Sequence, residues 1–123
     1  LRAAVSGDRF GYSLSLSNDG STIAVGAPLN AIGGQAHVFE YSQVNGWVLL
    51  GNLINGEAAG DNFGQDIAIS GDGRTVAVGG HLNDGGGESS INVGFVRVLV
   101  FSSGQWSQLG GDIDGTTRGD QIG

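Results

Sequence analysis

The sequence contains no cysteine, no methionine, no lysine and a single proline, Pro28. Without cysteine there are no disulfide staples, no thiolate zinc sites and no cysteine nucleophile, and the redox compartment stays open. Without lysine the five bases are all arginines (Arg2, Arg9, Arg74, Arg97 and Arg118), scattered against 12 acids for a net charge of −7. Nucleic acid or an anionic membrane surface would need a basic face, so neither partner is expected. No apolar run approaches the roughly 20 residues of a membrane-spanning helix, and the start has no charged region followed by an apolar stretch. No membrane insertion is therefore expected.

What the chain has in excess is glycine, 25 of its 123 residues. That would suggest low complexity, except that 39% of the residues are apolar and fall in short ordered runs, as in a folded chain. The glycines sit in a repeat. Gly7-Asp8-Arg9-Phe10-Gly11 recurs as Gly60-Asp61-Asn62-Phe63-Gly64 and again as Gly119-Asp120-Gln121-Ile122-Gly123. Residues 7–30 and 60–83 agree at more than half of their positions without a gap. Trp47-Val48-Leu49-Leu50-Gly51 is answered by Trp106-Ser107-Gln108-Leu109-Gly110. This divides the chain into the end of one repeat (1–6), two repeats (7–59 and 60–118) and the start of another (119–123). The chain begins inside the pattern, as expected of a segment of something longer. Most of the difference in repeat length is one Gly- and Ser-rich insertion around residues 83–92.

Each repeat reads as four strands and no helix. Leu14 and Leu16 alternate with Ser13, Ser15 and Ser17, and Ile67 and Ile69 with Asp66, Ala68 and Ser70, the period of two of a half-buried strand. Asp19-Gly20 and Asp72-Gly73 then signal tight hairpins, because glycine accepts positive φ without steric cost. The return strands 22–27 and 75–80 are more continuously apolar and are expected to be buried on both faces. Third strands over 35–41 and 95–101 and fourth strands over 47–54 and 106–113 complete the unit. Four short antiparallel strands in a repeat of roughly 55 residues are the arithmetic of a β-propeller blade, so the expected fold is all-β, a propeller fragment of two four-stranded antiparallel blades. Whether the fourth strand closes its own blade or opens the next is left open.

These motifs resemble a known family. Phe10-Gly11 with Gly26-Ala27-Pro28, and Phe63-Gly64 with the degraded Gly79-Gly80-His81, are similar to the FG-GAP repeat of integrin α-subunit propellers. The wider pattern resembles the FG-GAP-like repeats of large secreted or surface proteins of marine microbes and algae. The resemblance implies a longer propeller with an extracellular or cell-surface adhesion, recognition or scaffold role. Integrin-type repeats often hold calcium in a loop with several acids, whereas Ser17-Asn18-Asp19-Gly20-Ser21 and Ser70-Gly71-Asp72-Gly73-Arg74 keep one carboxylate each. Plain turns are expected there, and also at Asp112-x-Asp114-Gly115, with no metal and no cofactor.

Several residues stand out as candidates. Asp8, Asp61 and Asp120 share a repeat position, either as a ring of carboxylates or as caps on backbone N–H groups in the turn entering the first strand. Phe10 and Phe63, with Gly11 and Gly64, are expected to pack between blades rather than to face a ligand. Arg118-Gly119-Asp120 spells a tripeptide that integrins recognise, but its Gly-Asp belongs to the repeat. His37 and His81 lack a spaced partner for a metal. No nucleophile elbow, zinc-protease motif, phosphate loop or dinucleotide fingerprint occurs, so no enzyme is expected. The expected function is a non-enzymatic extracellular scaffold or adhesion module, partnered by further blades or further copies of the chain. Two alternatives stay open. One is binding of glycans or surface proteins, with Trp47, Trp106, Asp84 and Glu88 as contacts; the other is an accessory domain of a secreted hydrolase.

Overall fold

A computed structural model describes residues 9–28, 33–56, 62–81 and 94–114. Among them there is no helix; every element is a strand. In the first repeat β1 (Ser13–Leu16), β2 (Thr22–Ala27), β3 (Gln35–Ser42), β4 (Gly46–Leu49) and β5 (Ile54–Asn55) form one antiparallel sheet in the order β1-β2-β3-β4, with β5 also on β3. In the second, β6 (Asp66–Ile69), β7 (Thr75–His81), β8 (Gly94–Ser102), β9 (Gln105–Gln108) and β10 (Ile113–Asp114) repeat the plan. The expected all-β fold of two antiparallel blades is what the chain adopts.

Repeated sequence gives repeated register. Gly26 pairs with Ala36 and Gly79 with Val96; Tyr41 pairs with Trp47 and Phe101 with Trp106; Ala36 pairs with Ile54 and Val96 with Ile113. The hairpins form at the Asp-Gly pairs. Ser17 N donates to Thr22 O at 2.9 Å and Ser70 N to Thr75 O at 2.8 Å, and Gly20 and Gly73 take φ of 74° and 73°. Within each loop one aspartate organises the turn: Asp19 Oδ1 accepts from Ser17 Oγ, Ser21 N and Ser21 Oγ, and Asp72 Oδ1 from Ser70 Oγ and Arg74 N. These bonds favour the charged form, so both carboxyls titrate below their ordinary range, Asp19 chiefly through Ser21 and Asp72 chiefly through Ser70.

The fourth strand departs from expectation. It is broken into β4 and β5, and into β9 and β10, because Gly51 and Gly110 take φ of 76° and 71° and turn the chain out of the ladder. Leu50 N to Val38 O and Leu109 N to Val98 O carry the pairing up to each break. Both fragments pair with the third strand of their own repeat, so the fourth strand closes its own blade. The return strands also differ from one another. β2 is buried almost throughout, whereas β7 begins by alternating, with Val76 and Val78 inside and Thr75 and Ala77 half-buried.

The core lies between the sheets. Ala24, Ala36, Val38 and Ile54 of the first blade meet Phe63, Ile67, Val76, Val78, Phe95, Leu99 and Trp106 of the second. The two surfaces are opposite faces of equivalent blades, because Ile67, Leu99 and Trp106 occupy the repeat positions of Leu14, Phe39 and Trp47, which lie on the far side of the first sheet. Stacking is therefore head to tail. In β1 the serine side meets the neighbouring blade: Ser13 Oγ donates to Gly64 O at 2.9 Å and Ser15 Oγ accepts from Ile69 N at 3.1 Å.

Candidate functional site

The blade junction explains the repeat motif. Phe63 is fully buried, and its backbone runs parallel to Gly34, with Phe63 N donating to Gly33 O at 2.9 Å. A Cβ on Gly34 would overlap the Phe63 backbone, and one on Gly26 would overlap the Gly64 carbonyl and Ser13 Oγ. The glycines of Phe-Gly and of Gly-Ala-Pro are thus places where two blades touch backbone to backbone.

A cation-bearing cluster sits in the same core. Arg97, nearly buried, lies over the rings of Phe63 at 5.2 Å and Phe95 at 5.9 Å and clamps Asp112 through Nε at 2.9 Å and Nη2 at 3.1 Å. Gln108 Nε2 also donates to Asp112. The Arg97 bond, with the Gln108 bond adding to it, holds the Asp112 carboxyl below its ordinary range against the opposing effect of partial burial. Asp112 is therefore an ion-pair partner within the blade. At the rim, Arg74 bridges to Glu40 across the junction at 3.0 Å, an exposed pair of small energetic weight.

The two tryptophans have diverged in surroundings. Trp106 is only 4% exposed; its Nε1 donates to Leu50 O at 2.9 Å and its backbone N to Asn52 Oδ1 at 2.7 Å. These surroundings make Trp106 a packing residue and leave it no free ring face for a ligand. Trp47, 37% exposed, packs edge-on against Tyr41 at 5.4 Å on the first blade's outer face. Phe10 occupies the Phe63 position there, beside His37 at 5.1 Å and Phe39 at 6.1 Å. Leu14 and Leu16, the equivalents of Ile67 and Ile69, are 60% and 53% exposed. Asp8, Asp61, Asp120, Asp84, Glu88 and the Arg118-Gly119-Asp120 tripeptide lie outside the described residues, as does the side chain of His81.

The FG-GAP repeat profile matches residues 3–39 and 54–93, together more than half of the chain. The chain belongs to the FG-GAP repeat family. Its two sheets are FG-GAP blades, and this family is generally a non-catalytic propeller module. A search of curated proteins finds no match. Among the described residues, no cluster of three or more His, Asp or Glu side chains could hold a metal, and no helix is long and apolar enough to cross a membrane.

One feature of the site was not anticipated from the sequence. Between residues 9–12 and 62–65 lies a cleft of about 130 Å³, with Arg9, Tyr12, Pro28, Asn62 and Gln65 as its lining among the described residues. The signal that could have found it is the repeat itself, since Arg9 and Asn62 share one position and Tyr12 and Gln65 another.

Proposed function

We propose that this chain is a two-blade stretch of a larger FG-GAP propeller serving as a non-enzymatic extracellular scaffold or adhesion module. One observation carries the reading. The second blade buries Ile67, Leu99 and Trp106 against the first, while the equivalent face of the first blade leaves Leu14, Leu16, Tyr41 and Trp47 in solvent. A contiguous apolar face of this kind marks an interaction surface. Its repeat equivalent supplies a template for the partner: the Ala-, Val- and Ser-bearing face of another FG-GAP blade. Such heterologous stacking closes into a ring when the rotation per blade permits. Propellers are stiff platforms whose loops differ from blade to blade, and this suits recognition at a surface.

The location is tested by labelling producing cells with an antibody to the chain before and after permeabilisation. Labelling of intact cells is expected; signal appearing only after permeabilisation contradicts an extracellular role.

A further inference from the structure

Two Asn-Gly pairs occur in the chain, Asn45-Gly46 and Asn55-Gly56. Glycine after asparagine leaves its peptide nitrogen open to attack on the asparagine side chain, because no Cβ stands beside it. The fold treats the two pairs differently. Asn55 Oδ1 accepts from Gln35 Nε2 at 2.8 Å, and Gly56 N donates to Gly34 O at 2.9 Å. A Cβ on Gly56 would overlap Gly33 O and crowd Phe63, so this pair is wedged at the blade junction. Asn45-Gly46 lies instead at the tip of the hairpin joining β3 to β4. Asn45 is exposed; its backbone N donates to Ser42 Oγ at 2.9 Å, and its side-chain amide makes no hydrogen bond with any described residue. Gly46 has nothing within 4 Å of an added Cβ and pairs with Ser42 in the last rung of the ladder, where opening is easiest.

We propose that Asn45 is a deamidation site, a spontaneous modification that the fold permits here and blocks at Asn55. The Gly46 backbone nitrogen gives up its proton to base and attacks the Asn45 side-chain carbonyl carbon. The new N–C bond closes a five-membered succinimide, and the side-chain nitrogen leaves as ammonia. Water then opens the ring. Breaking the bond from the Gly46 nitrogen to the side-chain carbon gives aspartate; breaking its bond to the main-chain carbon gives isoaspartate. Nothing is oxidised or reduced, and water is the only co-reactant. Either product adds one negative charge to a chain already at −7. Isoaspartate also routes the main chain through the side chain, which lengthens the turn just before Trp47, the residue paired with Tyr41 across the hairpin.

The test is incubation of the full chain at mildly alkaline pH, folded and, in parallel, unfolded in guanidinium chloride. Fragmentation mass spectrometry then follows the conversion of amide to acid at residues 45 and 55, and an isoaspartate-specific methyltransferase reports the isoaspartate formed. In the folded chain residue 45 is expected to convert faster than residue 55 by about tenfold or more, since two hydrogen bonds must open before Asn55 reacts. In the unfolded chain the two are expected to convert at similar rates. Asn45→Gln, whose longer side chain would have to close a six-membered ring, is expected to remove the early acidic species seen on ion exchange and to leave the melting temperature unchanged. Equal rates at the two positions in the folded chain, faster conversion at residue 55, or an intact Asn45 after the unfolded chain has converted would each overturn the proposal.

Discussion

Trp106 Nε1 donates to Leu50 O across the blade junction at 2.9 Å, while Trp47, at the same repeat position, stands on a face with no blade against it among the described residues. The same side chain thus has two environments in one chain. Trp106→Ala should cost about 3–5 kcal/mol, as for a buried aromatic. Trp47→Ala should change the stability of the chain much less and weaken its association with further blades. Urea denaturation of both variants checks the difference; equal losses would mean that both faces are equally covered.

Gly26 is held close to the Gly64 carbonyl, and backbone cannot yield as a flexible side chain can. Gly26→Ala should therefore destabilise by about 1–3 kcal/mol through overpacking alone. Gly111, with nothing within 4 Å of an added Cβ and no left-handed φ, is the control, and Gly111→Ala should be near neutral. Thermal melts of the two variants make the comparison.

Phe63 fills the junction and lies under Arg97. Phe63→Leu should cost less than Phe63→Ala, which should lose about 3–5 kcal/mol. Phe63→Leu also removes the ring beneath the guanidinium, so its loss should exceed that expected from volume alone, and a double-mutant cycle with Arg97→Met measures the excess.

Asp112 contributes a pH dependence with a definite sign. Its folded carboxyl titrates below the ordinary value because Arg97 binds the charged form, so its stabilising effect is present above the unfolded value near pH 4. That effect is lost as the pH falls through the lower, folded value. Asp112→Asn should cost about 2 kcal/mol at neutral pH, the range for a hydrogen bond to a charged group. The gap between parent and variant should close in acid. A gap that persists unchanged at pH 2 would show that charge is not what the pair contributes.

Much of this was readable from the residues. Alternation at Leu14 and Leu16 and the Asp-Gly pairs located the first hairpins, because period and turn chemistry are local. Which side of β1 meets its neighbour was not readable, since alternation sorts residues into two faces without saying which face the next blade covers. Here the serines face inward because Ser13 and Ser15 bond to backbone of the second blade. The breaks at Gly51 and Gly110 were hidden because one glycine in an apolar run reads as strand unless its φ is known. Arg97 and Asp112, far apart in sequence, meet only through the pairing of β8 with β10. The cleft is likewise a meeting of two distant turns, and a lone Arg9 or Gln65 gives no sign of it.

Head-to-tail stacking leaves the apolar outer face of the first blade open to another blade, and sedimentation of the 123-residue chain shows whether that face recruits one. Concentration-dependent association at micromolar levels is predicted, reduced by Leu14→Ser with Leu16→Ser, which replace exposed leucines and leave the existing junction intact. A cooperatively folding monomer at all concentrations, unchanged by the double substitution, would contradict it.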